Sequence, residues 1–164
     1  PPLKSAGDNY ILWQALLDGV IDFIAPDHAP HTLAEKGKGY PNTPSGMPGV
    51  ETSLPLMLTQ AIQGRCSVAQ VSNWMSTAVA KGYGIPKKGA IAPGFDADLV
   101  LVDLNNYRPV LREELMTKCG WSPFEGWSLT GWPVVTIVGG EVTFYRGEFN
   151  SEVRGRALTF DGAS

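Results

Sequence analysis

The chain has 164 residues, 43% of them hydrophobic and 18% charged, with a formal net charge of -3. This is the composition of an ordinary folded domain rather than a disordered segment, and its scattered Lys and Arg form no basic stripe that would suit DNA or RNA. No apolar run approaches the roughly 20 residues of a membrane span, and the N-terminus lacks the charged and apolar regions of a signal peptide, so a soluble, cytoplasmic protein with no membrane partner is expected.

The sequence opens Pro1-Pro2-Leu3 with no Met, and the chain is expected to be part of a longer protein. From Asp8 the run D-N-Y-I-L-W-Q-A-L-L-D-G combines a cap residue, apolar residues on most sides and Gly19 as a stop. It predicts a mostly buried helix of about three turns. Residues 20–25, V-I-D-F-I-A, follow at once and read as a parallel strand covered on both faces. Helix followed tightly by buried strand predicts alternating α/β structure.

That strand stops at P-D-H-A-P-H, where a carboxylate meets His28 and His31, the only histidines in the chain. In a barrel of parallel strands the chemistry sits where strands end at the C-terminal face, which makes Asp27 the first candidate. The same spacing fits a proline-punctuated turn whose Asp caps the next segment equally well. Residues 32–49 read as a loop rich in Gly and Pro. A loop of that length is usually functional or disordered, and its start directly after His31 favours function. Within it, Ser45-Gly46-Met47-Pro48-Gly49 would let backbone amides approach a ligand closely, because Gly has no side chain in the way.

Leu54, Met57, Leu58, Ala61 and Ile62 recur at helical spacing and predict an amphipathic helix capped at Ser53, with Pro55 in the first turn. A second helix is predicted from a cap at Ser67 through Val68, Val71, Met75, Ala78 and Val79 to Gly82, with Trp74 and Met75 in the packing. After Gly84 the character changes. Residues 88–104, K-G-A-I-A-P-G-F-D-A-D-L-V-L-V-D-L, predict a turn and then a strand at 99–102. Asp96 and Asp98 supply too few oxygens for Ca²⁺ and read as turn formers. Runs at 134–138 and 141–145 flank Gly139-Gly140, the signal of a two-residue hairpin. Residues 148–164 carry weak strand character and a polar tail. The boundary between an α/β first half, 1–86, and a mainly β second half, 87–164, falls at residues 87–89. Cys66 and Cys119, outside any C-x-x-C spacing, read as reduced thiols.

A carboxylate with imidazoles beside it suggests a metal, a general acid–base, or both. Catalytic zinc needs three protein ligands, and Asp27, His28 and His31, crowded into five residues, do not enclose a metal well on their own. Thr32 and Ser45 are the nearest hydroxyls, with no G-x-S-x-G elbow to activate them, and the loop glycines do not match a phosphate-binding loop.

Five stretches taken together point to one family: P-P-L-K at 1–4, I-D-F-I-A-P-D-H-A-P-H at 21–31, P-S-G-M-P-G-V-E-T-S-L-P-L at 44–56, K-G-A-I-A-P-G-F-D-A-D-L-V at 88–100, and K-C-G-W-S-P-F-E-G-W at 118–127 with T-I-V-G-G at 136–140. The chain resembles the C-terminal portion of the dihydroorotases, amidohydrolase-superfamily enzymes of pyrimidine biosynthesis. The resemblance implies an α/β fold, the C-terminal part of a metal-dependent (β/α)₈ TIM barrel followed by the β-rich small domain of amidohydrolases. It implies that Asp27 is a metal ligand and proton carrier and that His31 holds the substrate's carboxylate. Ser45 and Gly46 would touch the ring through their backbone, and His28 would support the site without being a ligand. The implied cofactor is a divalent metal, two zinc ions per complete site, whose remaining ligands would lie upstream of Pro1. The chain alone is therefore expected to be inactive.

The implied substrate pair is dihydroorotate and N-carbamoyl-aspartate. A truncated barrel implies association with itself or with the missing barrel half, and aspartate carbamoyltransferase is a further candidate partner. Allantoinase or hydantoinase activity is the alternative among enzymes. A non-catalytic, dihydroorotase-like structural partner is the alternative outside them.

Overall fold

The computed structural model describes residues 5–161, so the P-P-L-K stretch lies outside the described residues. Helices α1 (Ala6–Leu17), α2 (Leu33–Lys36), α3 (Ser53–Ile62), α4 (Val68–Ser72) and α5 (Ala78–Gly82) precede strands β1 (Leu99–Pro109), β2 (Ser128–Val138), β3 (Glu141–Tyr145) and β4 (Glu148–Phe149). The strands form one antiparallel sheet in the order β1-β2-β3-β4. Among the described residues no helix is long and apolar enough to cross a membrane.

Helix α1 starts earlier than predicted. The Ser5 hydroxyl accepts the Asp8 N–H, and the Asp8 carboxylate accepts the Ser5 N–H at 2.8 Å, which makes Ser5 the cap and Asp8 its partner in a capping box. Gly19, at φ 74°, ends the turn beyond the helix as expected. The helix is not mostly buried. Leu16 is its one buried residue, while Tyr10, Ile11 and Leu12 are more than half exposed. A helix apolar on most sides needs cover on most sides, and the described residues cover only one of them.

Residues 20–25 form no ladder, contrary to the parallel strand predicted there. Val20 is 76% exposed, and Asp22 and Ala25 are also exposed. A strand needs a neighbour's N–H and C=O groups, and the one sheet among the described residues lies in the second half. A helix anchors the segment instead: the Ile24 N–H donates to the Trp74 carbonyl at 3.0 Å. Trp74 sits in a π-helical turn, Asn73–Thr77, that joins α4 to α5 and loosens the regular backbone ladder there. The second predicted helix is thus present, capped by Ser67 and closed at Gly82, with Val71, Trp74 and Ala80 buried. Phe23 packs so close to Gly82 that its ring would lie 2.8 Å from an added Cβ.

In α3 the cap position is Thr52, with Ser53 the first helical residue and Pro55 buried in the first turn. Of the predicted apolar stripe Leu58 is buried, Leu54, Met57 and Ala61 are partly buried and Ile62 is 48% exposed, while Pro55 and Thr59, outside the stripe, complete the buried face. Contact with β2 turns the helix this way. The Thr59 hydroxyl accepts the Thr130 N–H at 2.8 Å and donates to the Pro55 carbonyl at 2.7 Å. Leu58 packs directly over Gly131.

In the second half β1 runs well past the predicted end, because β2 pairs with it through Tyr107 to Pro109 across two register shifts. The β2–β3 hairpin is the one predicted. Gly139 and Gly140 have φ of 58° and 89°, as a two-residue I′ turn requires. Val110, Leu129 and Trp132 form a core cluster, with Leu56 of α3 against it and the Arg108 guanidinium 3.8 Å above the Trp132 ring. Both cysteines are free.

Asp96 and Asp98 serve the turn, as expected. Both pair with Lys88, at 2.9 Å for Asp96, and Asp98 also accepts the Gly139 N–H at 2.7 Å. The Lys88 hydrogen bond, followed by the Gly139 N–H, holds the Asp98 carboxyl below its ordinary value. A carboxyl depressed by folding adds stability that is present above its unfolded-state pKa and lost as pH falls through the folded one. The pair is partly exposed and screened, so its worth is about 0.5 kcal/mol. Between neutral and strongly acidic solution the wild-type melting temperature should therefore fall slightly further than that of Asp98→Asn. Equal falls would remove this role.

Candidate functional site

Three contacts assemble a site around D-H-A-P-H. The first is local. Asp27 has φ 45°, a left-handed conformation that Asp tolerates better than most residues because its short polar side chain crowds the backbone little. The turn it makes lays His28 and Ala29 along the following loop. His28 and Met47 form a parallel bridge, and the Ala29 N–H donates to the Met47 carbonyl at 3.1 Å. The His28 Nδ1 accepts the Gly49 N–H at 3.1 Å and the Val50 N–H at 3.3 Å. An accepting Nδ1 puts the proton of the neutral ring on Nε2.

Two glycines permit this closeness. A Cβ on Gly46, where φ is 102°, would lie 2.7 Å from both the Cβ and the carbonyl oxygen of Ala29. One on Gly49 would lie 2.9 Å from the Pro26 carbonyl oxygen. No side chain fits at either position without moving backbone.

The second contact comes from α2. Thr32 caps it in a box with Glu35, and the Thr32 N–H and hydroxyl hold the Glu35 carboxyl below its ordinary value. Lys36 at its other end donates to the carbonyls of Pro44, at 2.8 Å, and Gly46, at 3.1 Å. The third comes from the β half. The Trp121 Nε1 donates to the His31 carbonyl at 2.7 Å, and Glu51 accepts the N–H groups of Met116 and Thr117, each at 2.8 Å. An open cleft of about 440 Å³ lies between these elements, with His28, Thr32, Glu35, Thr117 and Lys118 in its wall.

The predicted residues are therefore partly brought together. Gly46 abuts Ala29 beside His28, and His31 is half-buried, its carbonyl held by Trp121. Asp27 and Ser45 are exposed. Among the described residues no three His, Cys, Asp or Glu side chains gather closely enough to hold a metal ion. The residues present thus do not fit a two-metal centre on their own; Asp27 is a single oxygen donor.

Lys36, Glu51 and Trp121 carry no signal of their own in the sequence. Glu51 and Trp121 lie inside the family-like stretches, yet their partners stand 65 and 90 residues away, which no local spacing conveys.

The sequence profile described as "Amidohydrolase family" matches residues 4–143. A dihydroorotase of Halobacterium salinarum is 44% identical over 156 residues, 95% of this chain and 36% of that protein. A dihydroorotase of Geobacillus thermodenitrificans is 40% identical over 148 residues, 90% of this chain and 34% of that protein. Among solved structures, the L-hydantoinase (dihydropyrimidinase) of Arthrobacter aurescens superposes with a TM-score of 0.88 at 37% identity, over 97% of this chain and 37% of that one. The chain thus spans about a third of the length of the curated relatives it matches. The profile match begins just before α1 and runs into β3, through both halves, and the chain belongs to the amidohydrolase family.

Proposed function

We propose that this chain is the C-terminal part of a metal-dependent dihydroorotase, with residues 1–86 completing a (β/α)₈ barrel and residues 87–164 forming the small β domain. The observation that carries the reading is the closure of residues 46–50 on residues 26–29. D-H-A-P-H and S-G-M-P-G-V-E-T are the stretches whose likeness is most particular to dihydroorotase, and they meet through the bridge at His28 and Met47. The dihydroorotase relatives, 40% and 44% identical in the two cases given above, support the same reading. Hydantoinase structures share the fold and fit the alternative of another cyclic amidohydrolase.

In the proposed reaction water adds to the amide carbonyl carbon of dihydroorotate. Its proton passes to the Asp27 carboxylate and from there to the leaving ring nitrogen, so the C–N bond breaks and N-carbamoyl-aspartate forms. The reverse transfer closes the ring. His31 takes the substrate's carboxylate, and the backbone at Ser45 and Gly46 lines the ring. The two-zinc centre that this reading requires takes only Asp27 from the chain; its other ligands belong to residues outside it, and the 164 residues alone are proposed to be inactive. The exposed Tyr10, Ile11, Leu12 and Val20 are proposed to be covered by the rest of the barrel or by a second copy.

The test is a substrate profile of the full-length protein. Dihydroorotate should be preferred over a dihydropyrimidine that lacks the carboxylate. His31→Ala should raise KM for dihydroorotate by about tenfold or more, the scale of one lost charge-assisted hydrogen bond, and leave the carboxylate-free ring unaffected. Preference for the carboxylate-free ring would assign the chain to the hydantoinase-like alternative.

A further inference from the structure

The stretch K-C-G-W-S-P-F has no part in the reaction as proposed, yet it reaches the site. The Trp121 indole, which can only donate, gives its N–H to the His31 carbonyl at 2.7 Å. In the same peptide unit the Thr32 N–H donates to Glu35, and the Thr32 hydroxyl does so too, fixing Thr32 as the cap of α2. The peptide unit that joins His31 to Thr32 is thus held at its carbonyl by Trp121 and at its N–H by Glu35, which fixes the plane from which the His31 side chain departs.

The loop that carries Trp121 has no strand or long helix of its own, only a 3-10 turn at Arg112–Glu114 and short hydrogen-bonded turns, and is held by Glu51 from outside and by Arg112 from within. Glu51 takes the successive N–H groups of Met116 and Thr117 in its two carboxylate oxygens. The Arg112 Nε donates to the Gly120 carbonyl at 2.7 Å, one residue before Trp121. Glu51 directly follows Gly49 and Val50, whose amides bond the His28 ring. One three-residue segment therefore ties D-H-A-P-H and the loop of the β half to each other.

We infer that Trp121 is a positioning residue for His31, latched by Glu51, so that the loop of the β half sets how the site receives the substrate's carboxylate. This rests on the reading of His31 as the carboxylate contact. The alternative is that Trp121 and Glu51 merely hold the two halves together. The two differ in coupling: a residue that acts through His31 has nothing left to do once the imidazole is gone.

The experiment measures KM and kcat for dihydroorotate in the full-length protein and in Trp121→Phe, His31→Ala and the double variant. Trp121→Phe keeps an aromatic ring in place and loses the N–H. It should raise KM by about fivefold with kcat changed by less than about twofold, the scale of one uncharged hydrogen bond. In the His31→Ala background the same substitution should add nothing. Glu51→Gln keeps one acceptor oxygen and should raise KM in the same direction by about two- to threefold, with faster hydrogen exchange at the Met116 and Thr117 amides. An equal KM increase from Trp121→Phe in both backgrounds, or none in the wild type, overturns the inference and leaves the functional reading standing. A wild-type protein that does not hydrolyse dihydroorotate overturns that reading, and this inference with it.

Discussion

Asp27→Asn in the full-length protein is expected to lower kcat for dihydroorotate hydrolysis by about three orders of magnitude, the middle of the range for removing a general base. The exchange isolates chemistry from folding. Asp27 stands at φ 45°, and Asn, like Asp, accepts that left-handed conformation, whereas a branched residue would strain it. The side chain is exposed and makes no hydrogen bond or ion pair among the described residues, so no packing is lost either. In the metal-free protein the melting temperature should stay within about a degree of wild type, because no packing or hydrogen bond among the described residues is lost. The amide that replaces the carboxylate in Asp27→Asn cannot take up a proton at neutral pH, so the transfer from water to the leaving nitrogen loses its carrier. A fall in kcat of less than about tenfold with folding intact would remove Asp27 from the reaction and leave the turn reading of D-H-A-P-H.

What the sequence conveys about this chain depends on how far each signal reaches. The Gly139-Gly140 turn, the Ser67 cap and the Gly82 stop are decided within a few residues, and each is found where it is expected. Two capping boxes are equally local but masked by their surroundings: Ser5 with Asp8, which is itself a good cap residue, and Thr32 with Glu35 inside a loop whose glycines and prolines dominate its composition. The face of α3 is not local. Its orientation is set by a threonine and a glycine, Thr59 and Gly131, that no apolar periodicity counts. Residues 20–25 have the composition of a buried parallel strand, but strand structure belongs to a pair, and no partner lies among the described residues. The site divides in the same way. The residue types at Asp27 and His31 are visible in one line of sequence. Closure by the His28 ring onto Gly49 and Val50 spans 21 and 22 residues, and the Trp121 contact spans 90.

Gly131→Val is expected to be the most destabilising single substitution in the joint between the two halves, at about 3–5 kcal/mol. Two costs add. The backbone there has φ 89°, where an L side chain is strained, and an added Cβ would lie 2.7 Å from the Leu58 Cβ, which is attached directly to the α3 backbone and cannot swing away. Leu58 is 2% exposed, so neither partner can move into solvent. Relief by shifting α3 would break the hydrogen bond from the Thr130 N–H to the Thr59 hydroxyl that holds strand to helix. For a chain of this length the loss corresponds to a melting temperature lower by about 10 °C. Gly131→Ala should show most of the effect, since the Cβ alone makes the collision. Leu58→Ala keeps its Cβ and so relieves only the 3.2 Å contact of Leu58 Cδ1. It should recover a small part of the Gly131→Ala penalty in a double-mutant cycle, whereas Leu58→Gly should recover about 1 kcal/mol or more after its own cost is subtracted. Full additivity in both cycles would place the whole penalty in the backbone of β2, and an unshifted melting temperature for Gly131→Val would mean that α3 and β2 are not packed as described.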